Sequence, residues 1–286
     1  MSGTAIFRGM DRATLDAAYN NSAAVTDSPE WVDRWRTRSV SARASQGAKS
    51  GIRLDIPYGA LERTKFDYFP AGAANAPLLV FIHGGYWVRN SYDMFAFLTA
   101  GPNAHGINFA SIGYTLAPQA RLSQIFAETG QCLTYLADHA DELGFDRNNI
   151  FVTGWSAGGH LAAMMIEHAA VRGALPISGI FDLEPLSLNY INDALQFTKD
   201  DIEKLSPLRR LGKTTVPMRL VAGGNELPEL QRQTRDYAEA ARALSLKVSN
   251  ETLPGHHHFS ILDELAKPDG LITRELLKLI AETSDK

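Results

Sequence analysis

The stretch that most constrains this chain is Gly154-Trp155-Ser156-Ala157-Gly158, which joins two runs of opposite periodicity. Before it, the β-branched and aromatic run from Ile150 to Thr153 reads as a buried strand. After it, an Ala-, Met- and Leu-rich segment from Ala157 to about Ala170 reads as a helix. A serine with glycines two before and two after, in strand–turn–helix context, implies a sharp and strained turn. Strand and helix crowd together there and leave no room for a Cβ at the flanking positions. Such a turn lifts Oγ of Ser156 out of the sheet edge and sets it at a helix N-terminus, where developing negative charge is favoured. Glycine-rich strand-to-helix turns also occur in α/β proteins without this chemistry, so Ser156 needs partners elsewhere in the chain.

From residue 61 the chain alternates regularly. Apolar runs predict strands at 65–69, 77–83, 107–114, 150–153, 175–181, 216–222 and 247–252. Helical spacing predicts helices at 92–100, 123–143, 157–170, 229–243 and 270–281. The run 77–83 is apolar almost throughout, as a strand covered on both faces requires. Repeated β–α units imply an α/β fold with a mostly parallel central sheet flanked by helices, its site beyond the carboxyl ends of the strands. All 286 residues are expected to form one domain. Residues 1–60 are more polar and less periodic, with Trp31 and Trp35 on one helical face, and read as an anchor or small lid. The stretch 183–211 interrupts the pattern and reads as a cap insertion contributing to the same lid.

Three further strand ends carry chemistry. His83-Gly84-Gly85-Tyr86-Trp87 follows the 77–83 run, and its glycines allow main-chain N–H groups to approach an oxygen. Acyl transfer needs such donors as charge collects on the carbonyl oxygen, and the N–H groups of Gly85, Tyr86 and Ala157 are the candidates. His83 itself is expected to hold the turn. Ala222-Gly-Gly-Asn-Glu226 follows the 216–222 strand, where a Ser…acid…His order wants its carboxylate. Glu226 ranks ahead of Asp182, which suits a backbone cap, and Glu229, which suits the first turn of a helix. Pro254-Gly-His-His-His-Phe259 supplies a histidine that can serve as general base and then general acid. Adjacent histidines point apart and no ligand spacing surrounds them, so a metal site is the poorer explanation of the run. His160 and His168 are expected to pack structurally, and Cys132 lies within an amphipathic helix with no motif around it.

Composition narrows the class. A net charge of −4 without basic runs gives no reason to expect nucleic acid or an anionic membrane as partner. The single cysteine excludes an intramolecular disulfide and makes the cytoplasm the default compartment. Residues 1–12 lack the apolar core of a secretory leader.

These residues make the chain similar to the α/β-hydrolases, and within them to the arylformamidase (kynurenine formamidase)-like group. The likeness rests on His83-Gly-Gly-Tyr-Trp87, Gly154-Trp-Ser-Ala-Gly-Gly159, the segment from Glu226 to Thr234, His258-Phe259 and the early Ala18-Tyr-Asn-Asn21. The resemblance implies a serine hydrolase with Ser156 as nucleophile, His258 as base and Glu226 as acid, where the group more often carries Asp. It implies an oxyanion hole in the 83–87 loop and at Ala157. It also implies no cofactor, and a small amide, formamide above all, or a small ester as substrate. Trp87, Trp155, Tyr190 and Phe197 are candidates to line an apolar substrate pocket, with core packing as the alternative for each. A homodimer is compatible with the sequence and not specified by it. Two other readings stand beside the formamidase one: a general carboxylesterase, and a non-catalytic binding protein of the same fold.

Overall fold

A computed structural model describes residues 4–45, 51–212 and 214–284. Its centre is one eight-stranded sheet made of β1 (Arg53–Pro57), β2 (Lys65–Phe69), β3 (Ala76–Ile82), β4 (Asn108–Ile112), β5 (Phe145–Trp155), β6 (Val171–Ile177), β7 (Met218–Gly223) and β8 (Val248–Leu253). The spatial order is β1-β2-β4-β3-β5-β6-β7-β8. β2 runs antiparallel to β1 and β4, and every other neighbouring pair is parallel. The carboxyl ends of β3, β5, β6, β7 and β8 therefore open on one edge, which is where His83, Ser156, Ser178, Glu226 and His258 follow.

The sheet is covered on both faces because its central strands alternate between two cores. Leu78, Val80 and Ile82 of β3 face a cluster containing Ile125 and Leu133 of the Leu122–Asp138 helix and Leu161 of the Ala157–Met164 helix. Leu79 and Phe81 face the other cluster, with Phe95, Phe151, and Leu276 and Leu279 of the Leu271–Ser284 helix. The two-residue period of a strand separates the sets, and helix packing on each side completes the burial.

Several predicted boundaries move. The strand expected at 175–181 is Val171–Ile177; Ile180 and Phe181 are fully buried but lie beyond it, after Ser178 turns the backbone at φ +51°. The helix expected over 157–170 is α-helical only to Met164 and tightens to a 3₁₀ turn over Met165–Glu167. The 123–143 helix is Leu122–Asp138 followed by a separate turn, Ala140–Leu143. The 92–100 element is a 3₁₀ helix, Tyr92–Thr99, continued by Ala100–Ala104.

The N-terminal part is more ordered than its polarity suggests. The Arg12–Ala18 helix is capped by Asp11, whose side chain accepts from Thr14 N–H at 3.0 Å. A 17-residue helix, Ser28–Ala44, then crosses the site edge. Trp35 is its fully buried anchor, stacked on Phe97 and Phe259 and edge-on to Trp155. Trp31 stays half-buried, edge-on to His257 at 5.3 Å and covered by the Arg34 guanidinium at 3.8 Å. The C-terminal turn of this helix is tied to the sheet by Arg43, which pairs with Asp55 and the buried Asp67, each at 2.8 Å. Since Trp35 joins helix, sheet and the loop after β8, Trp35→Ala is expected to destabilise the protein by about 3–5 kcal/mol. Urea unfolding measures this, and a loss under about 1 kcal/mol would contradict the anchor role.

Candidate active site

Ser156 sits where β5 stops and the Ala157–Met164 helix starts, with φ +59° and ψ −117°. A non-glycine residue rarely occupies such a conformation, and it persists only where surroundings enforce it. They do so here. A Cβ on Gly154 would lie 2.2 Å from Gly158 O, and one on Gly158 would lie 1.9 Å from Ile82 O. Strand, turn and the end of β3 touch through backbone alone, as the glycine spacing predicts. Ser156 N–H donates to Ile177 O at 2.8 Å, pinning the turn to β6. The first N–H groups of the helix, beginning at Ala157, have no intrahelical partner.

The loop after β3 carries three consecutive residues of positive φ: Gly85 at +114°, Tyr86 at +49° and Trp87 at +58°. The turn is closed by Val88 and Arg89 N–H donating to Gly85 O, at 3.0 and 3.2 Å, which spends neither the Gly85 nor the Tyr86 N–H. Asn90 adds a bond from Nδ2 to Gly84 O at 3.1 Å. His83 is fully buried beneath this loop, with Nδ1 2.9 Å from Gly84 O and its ring stacked on Tyr114 at 4.2 Å. It supports the turn and does not reach the cavity.

Glu226 and His258 meet. His258 Nδ1 lies 3.1 Å from Glu226 Oε2, and both residues are buried. The other carboxylate oxygen accepts from Gly223 N–H at 2.7 Å and from Ser178 Oγ at 2.5 Å. The carboxylate is thus fixed by the ends of β6 and β7 while it faces the histidine. Its competitors are engaged elsewhere. Asp182 pairs with Arg209 at 3.4 Å and caps Glu184 N–H, and Glu229 is held by Arg232 at 2.8 Å. The three adjacent histidines diverge as expected. His256 approaches Glu264 at 3.8 Å, His257 accepts from Phe259 and Ser260 N–H, and His258 turns to Glu226. Among the described residues no cluster of three His, Cys, Asp or Glu side chains is arranged to hold a metal ion.

Ser156, His258, Gly85, Tyr86 and Trp155 line one cavity of about 370 Å³, within the range of small-ligand sites. Its outer wall is Asn21, Ser22 and the Ser28–Ala44 helix through Ser28, Pro29, Val32, Asp33 and Arg36, with Arg89 and Asn90 beside the loop. Of the four aromatic residues expected to line the substrate pocket, Trp155 alone lines this cavity; its ring lies 4.8 Å from that of His258 and its Nε1 donates to His258 O at 2.7 Å. Trp87 is fully buried in the core, edge-on to His160 at 5.0 Å and to Phe197 at 6.2 Å. Phe197 is half-buried and lines a separate cavity with Leu188 and Ile202. Tyr190 is 37% exposed and anchored by its N–H to Asp16. The 183–211 stretch therefore contributes no lining residue to the Ser156 cavity, and the N-terminal segment supplies that wall. Another cavity of about 390 Å³ lies at the opposite ends of β6–β8, lined by Val171, Pro217 and Val248, away from Ser156.

Sequence reasoning missed Ser178, Asn21 and Asn90. Ser178 was hidden inside the strand expected at 175–181. Asn21 falls in a stretch without periodicity, and its only signal is its place in Ala18-Tyr-Asn-Asn21. Cys132 is buried in the Leu122–Asp138 helix, and burial pushes its thiol well up.

Burial also lowers His83 to about 3 and His160, bonded to Leu205 O, to about 4. The folded protein then binds fewer protons than the unfolded chain below the ordinary histidine range near 6.5. Stability is accordingly full above that range and is lost as pH falls from about 6.5 toward 4. The urea midpoint should drop across this window. In His160→Gln the slope should be shallower by up to about 1.4 kcal/mol per pH unit. An unchanged slope would contradict a neutral buried His160.

The family model BD-FAE matches residues 68–174. Kynurenine formamidase of Danio rerio is 28% identical over 97% of this chain and 99% of its own length. Esterase LipC of Mycobacterium tuberculosis is 28% identical over 66% of this chain and 54% of its own. A crystal structure from Silicibacter sp., described as a candidate thioesterase, superposes with TM-score 0.82 at 29% identity, covering 91% of this chain and 97% of that one. The chain has the α/β-hydrolase fold, is similar over its length to the arylformamidases, and is a hydrolase of the class that cleaves amides or esters.

Proposed function

We propose that the protein hydrolyses a small amide, with a formamide as the first choice, through an acyl-enzyme on Ser156. His258 takes the Ser156 proton as Oγ attacks the carbonyl, then delivers it to the leaving group. Glu226 holds His258 in the tautomer with the proton on Nδ1 and stabilises the imidazolium that forms. The N–H groups of Gly85, Tyr86 and Ala157 receive the oxyanion, each worth on the order of 3 kcal/mol. Water then repeats the sequence on the acyl-enzyme. The observation that carries this reading is the buried 3.1 Å contact of His258 Nδ1 with Glu226 Oε2 in the wall of the cavity that Ser156 lines.

The formamide preference is supported by the full-length likeness to the Danio rerio enzyme. A carboxylesterase is the second reading, favoured by the likeness to Esterase LipC. Hydrolysis of N-formyl-L-kynurenine beside p-nitrophenyl acetate separates them. The proposal expects the higher kcat/KM on the formamide, lost in Ser156→Ala. Strong ester turnover with negligible formamide turnover would keep the serine chemistry and refute the substrate.

A further inference from the structure

The function proposed above uses the main chain of Tyr86 and leaves its side chain unexplained. The loop at 85–87 holds two non-glycine residues at positive φ, a conformation that needs outside support. Trp87 is held by the core. The Tyr86 hydroxyl, buried, has both of its hydrogen bonds to the N-terminal segment: it donates to Tyr19 O at 2.7 Å and accepts from Asn21 Nδ2 at 3.1 Å. Burial pushes the Tyr19 and Tyr86 phenols well up, so each keeps its single proton. With that proton given to Tyr19 O, Tyr86 can only accept from Asn21, which fixes the direction of the whole arrangement.

The arrangement continues past the loop. Tyr19 is fully buried, and its hydroxyl accepts from Gln233 Nε2 at 2.8 Å and donates to Glu229 Oε2 at 3.2 Å. Gln233 Oε1 accepts from the N–H groups of Phe181 and Asp182, at 2.6 and 2.8 Å. Buried hydrogen bonds, joined through Tyr19 itself and the Tyr86 side chain, therefore link the turn after β6 and Gln233 of the Pro228–Ala243 helix to the loop whose backbone would bind the oxyanion. They join the two stretches, Ala18–Asn21 and Glu226–Thr234, that the proposed chemistry otherwise leaves without a purpose beyond Glu226 itself.

We infer that Tyr19, Asn21 and Gln233 form a clamp that, through the Tyr86 side chain, positions the Tyr86 N–H for the oxyanion. They are positioning residues, and the N-terminal segment is part of the transition-state machinery as well as a wall of the cavity. This inference rests on Ser156 being the nucleophile. A donor fixed before reaction helps where charge develops and adds little to ground-state binding, so losing the clamp should lower kcat and spare KM.

The test is Tyr86→Phe, which keeps the main chain and ring and removes only the hydroxyl. Turnover is counted per active site titrated with a fluorophosphonate. The expected result is a kcat about 10- to 100-fold lower with KM within about twofold. Affinity for a boronic acid that forms a tetrahedral adduct should fall by the same factor. Asn21→Ala should show a smaller loss of the same kind, and the double variant should be no worse than Tyr86→Phe alone, because both act through one contact. A merely structural hydroxyl would lower the titratable fraction or Tm and leave kcat per site and boronate affinity unchanged, and that result would overturn the clamp. Ser156→Ala run in parallel separates the two failures. Full activity there removes the nucleophile and the clamp together, whereas loss there beside an unaffected Tyr86→Phe removes the clamp alone.

Discussion

Ser156→Ala is expected to lower kcat by about 10⁴-fold or more on whichever amide or ester the enzyme turns over, with the fold unchanged. Oγ occupies a turn built from backbone contacts at Gly154 and Gly158, and an alanine there keeps the Cβ that the turn already accommodates. His258→Ala should cost about as much, since without a base the hydroxyl is a poor nucleophile at neutral pH. The double variant should lie close to either single one, because the two residues perform one step. Steady-state kinetics with Tm measured alongside checks all three. Additive losses, or a His258→Ala enzyme within about tenfold of wild type, would contradict the assignment of roles.

The second large effect separates the carboxylates. Glu226→Ala should lower kcat by about 10²- to 10³-fold, less than loss of the nucleophile, because His258 keeps some competence without its orienting partner. Glu226 Oε1 also ties the ends of β6 and β7 together through Ser178 and Gly223. Part of the loss should therefore appear as lower stability, on the order of 1–3 kcal/mol for the buried donors left unpaired. Asp182→Ala should leave kcat within about threefold, since Asp182 faces Arg209 and Glu184 rather than a histidine. A silent Glu226→Ala beside a crippled Asp182→Ala would reverse the assignment.

The strand-end residues were legible because their sequence signals are local. Glycines flank Ser156 where backbone touches backbone, Glu226 follows an apolar strand, and His258 directly precedes Phe259 in a loop after the last strand. What stayed hidden depends on contacts distant in sequence. Tyr86 and Asn21 are 65 residues apart, and neither has a periodic environment that announces the pairing. Aromatic residues were a poor guide to the cavity. Trp87, Tyr190 and Phe197 are of types suited to a pocket, but Trp87 is packed fully into the core against His160, a contact 73 residues away in sequence that no local pattern reports. In the polar N-terminal stretch the one helical signal was the four-residue spacing of Trp31 and Trp35, and the 17-residue helix there is fastened by Trp35, which is fully buried. Boundaries slipped where buried loop residues such as Ile180 and Phe181 extended an apolar run beyond its strand.

Reaction with a fluorophosphonate, followed by intact-mass and peptide mapping, tests the central claim most directly. The account predicts one adduct per chain, on Ser156, formed in step with loss of hydrolysis and absent from Ser156→Ala. Hydrolysis that survives full labelling, an adduct on another residue, or activity abolished by a chelator instead would contradict it.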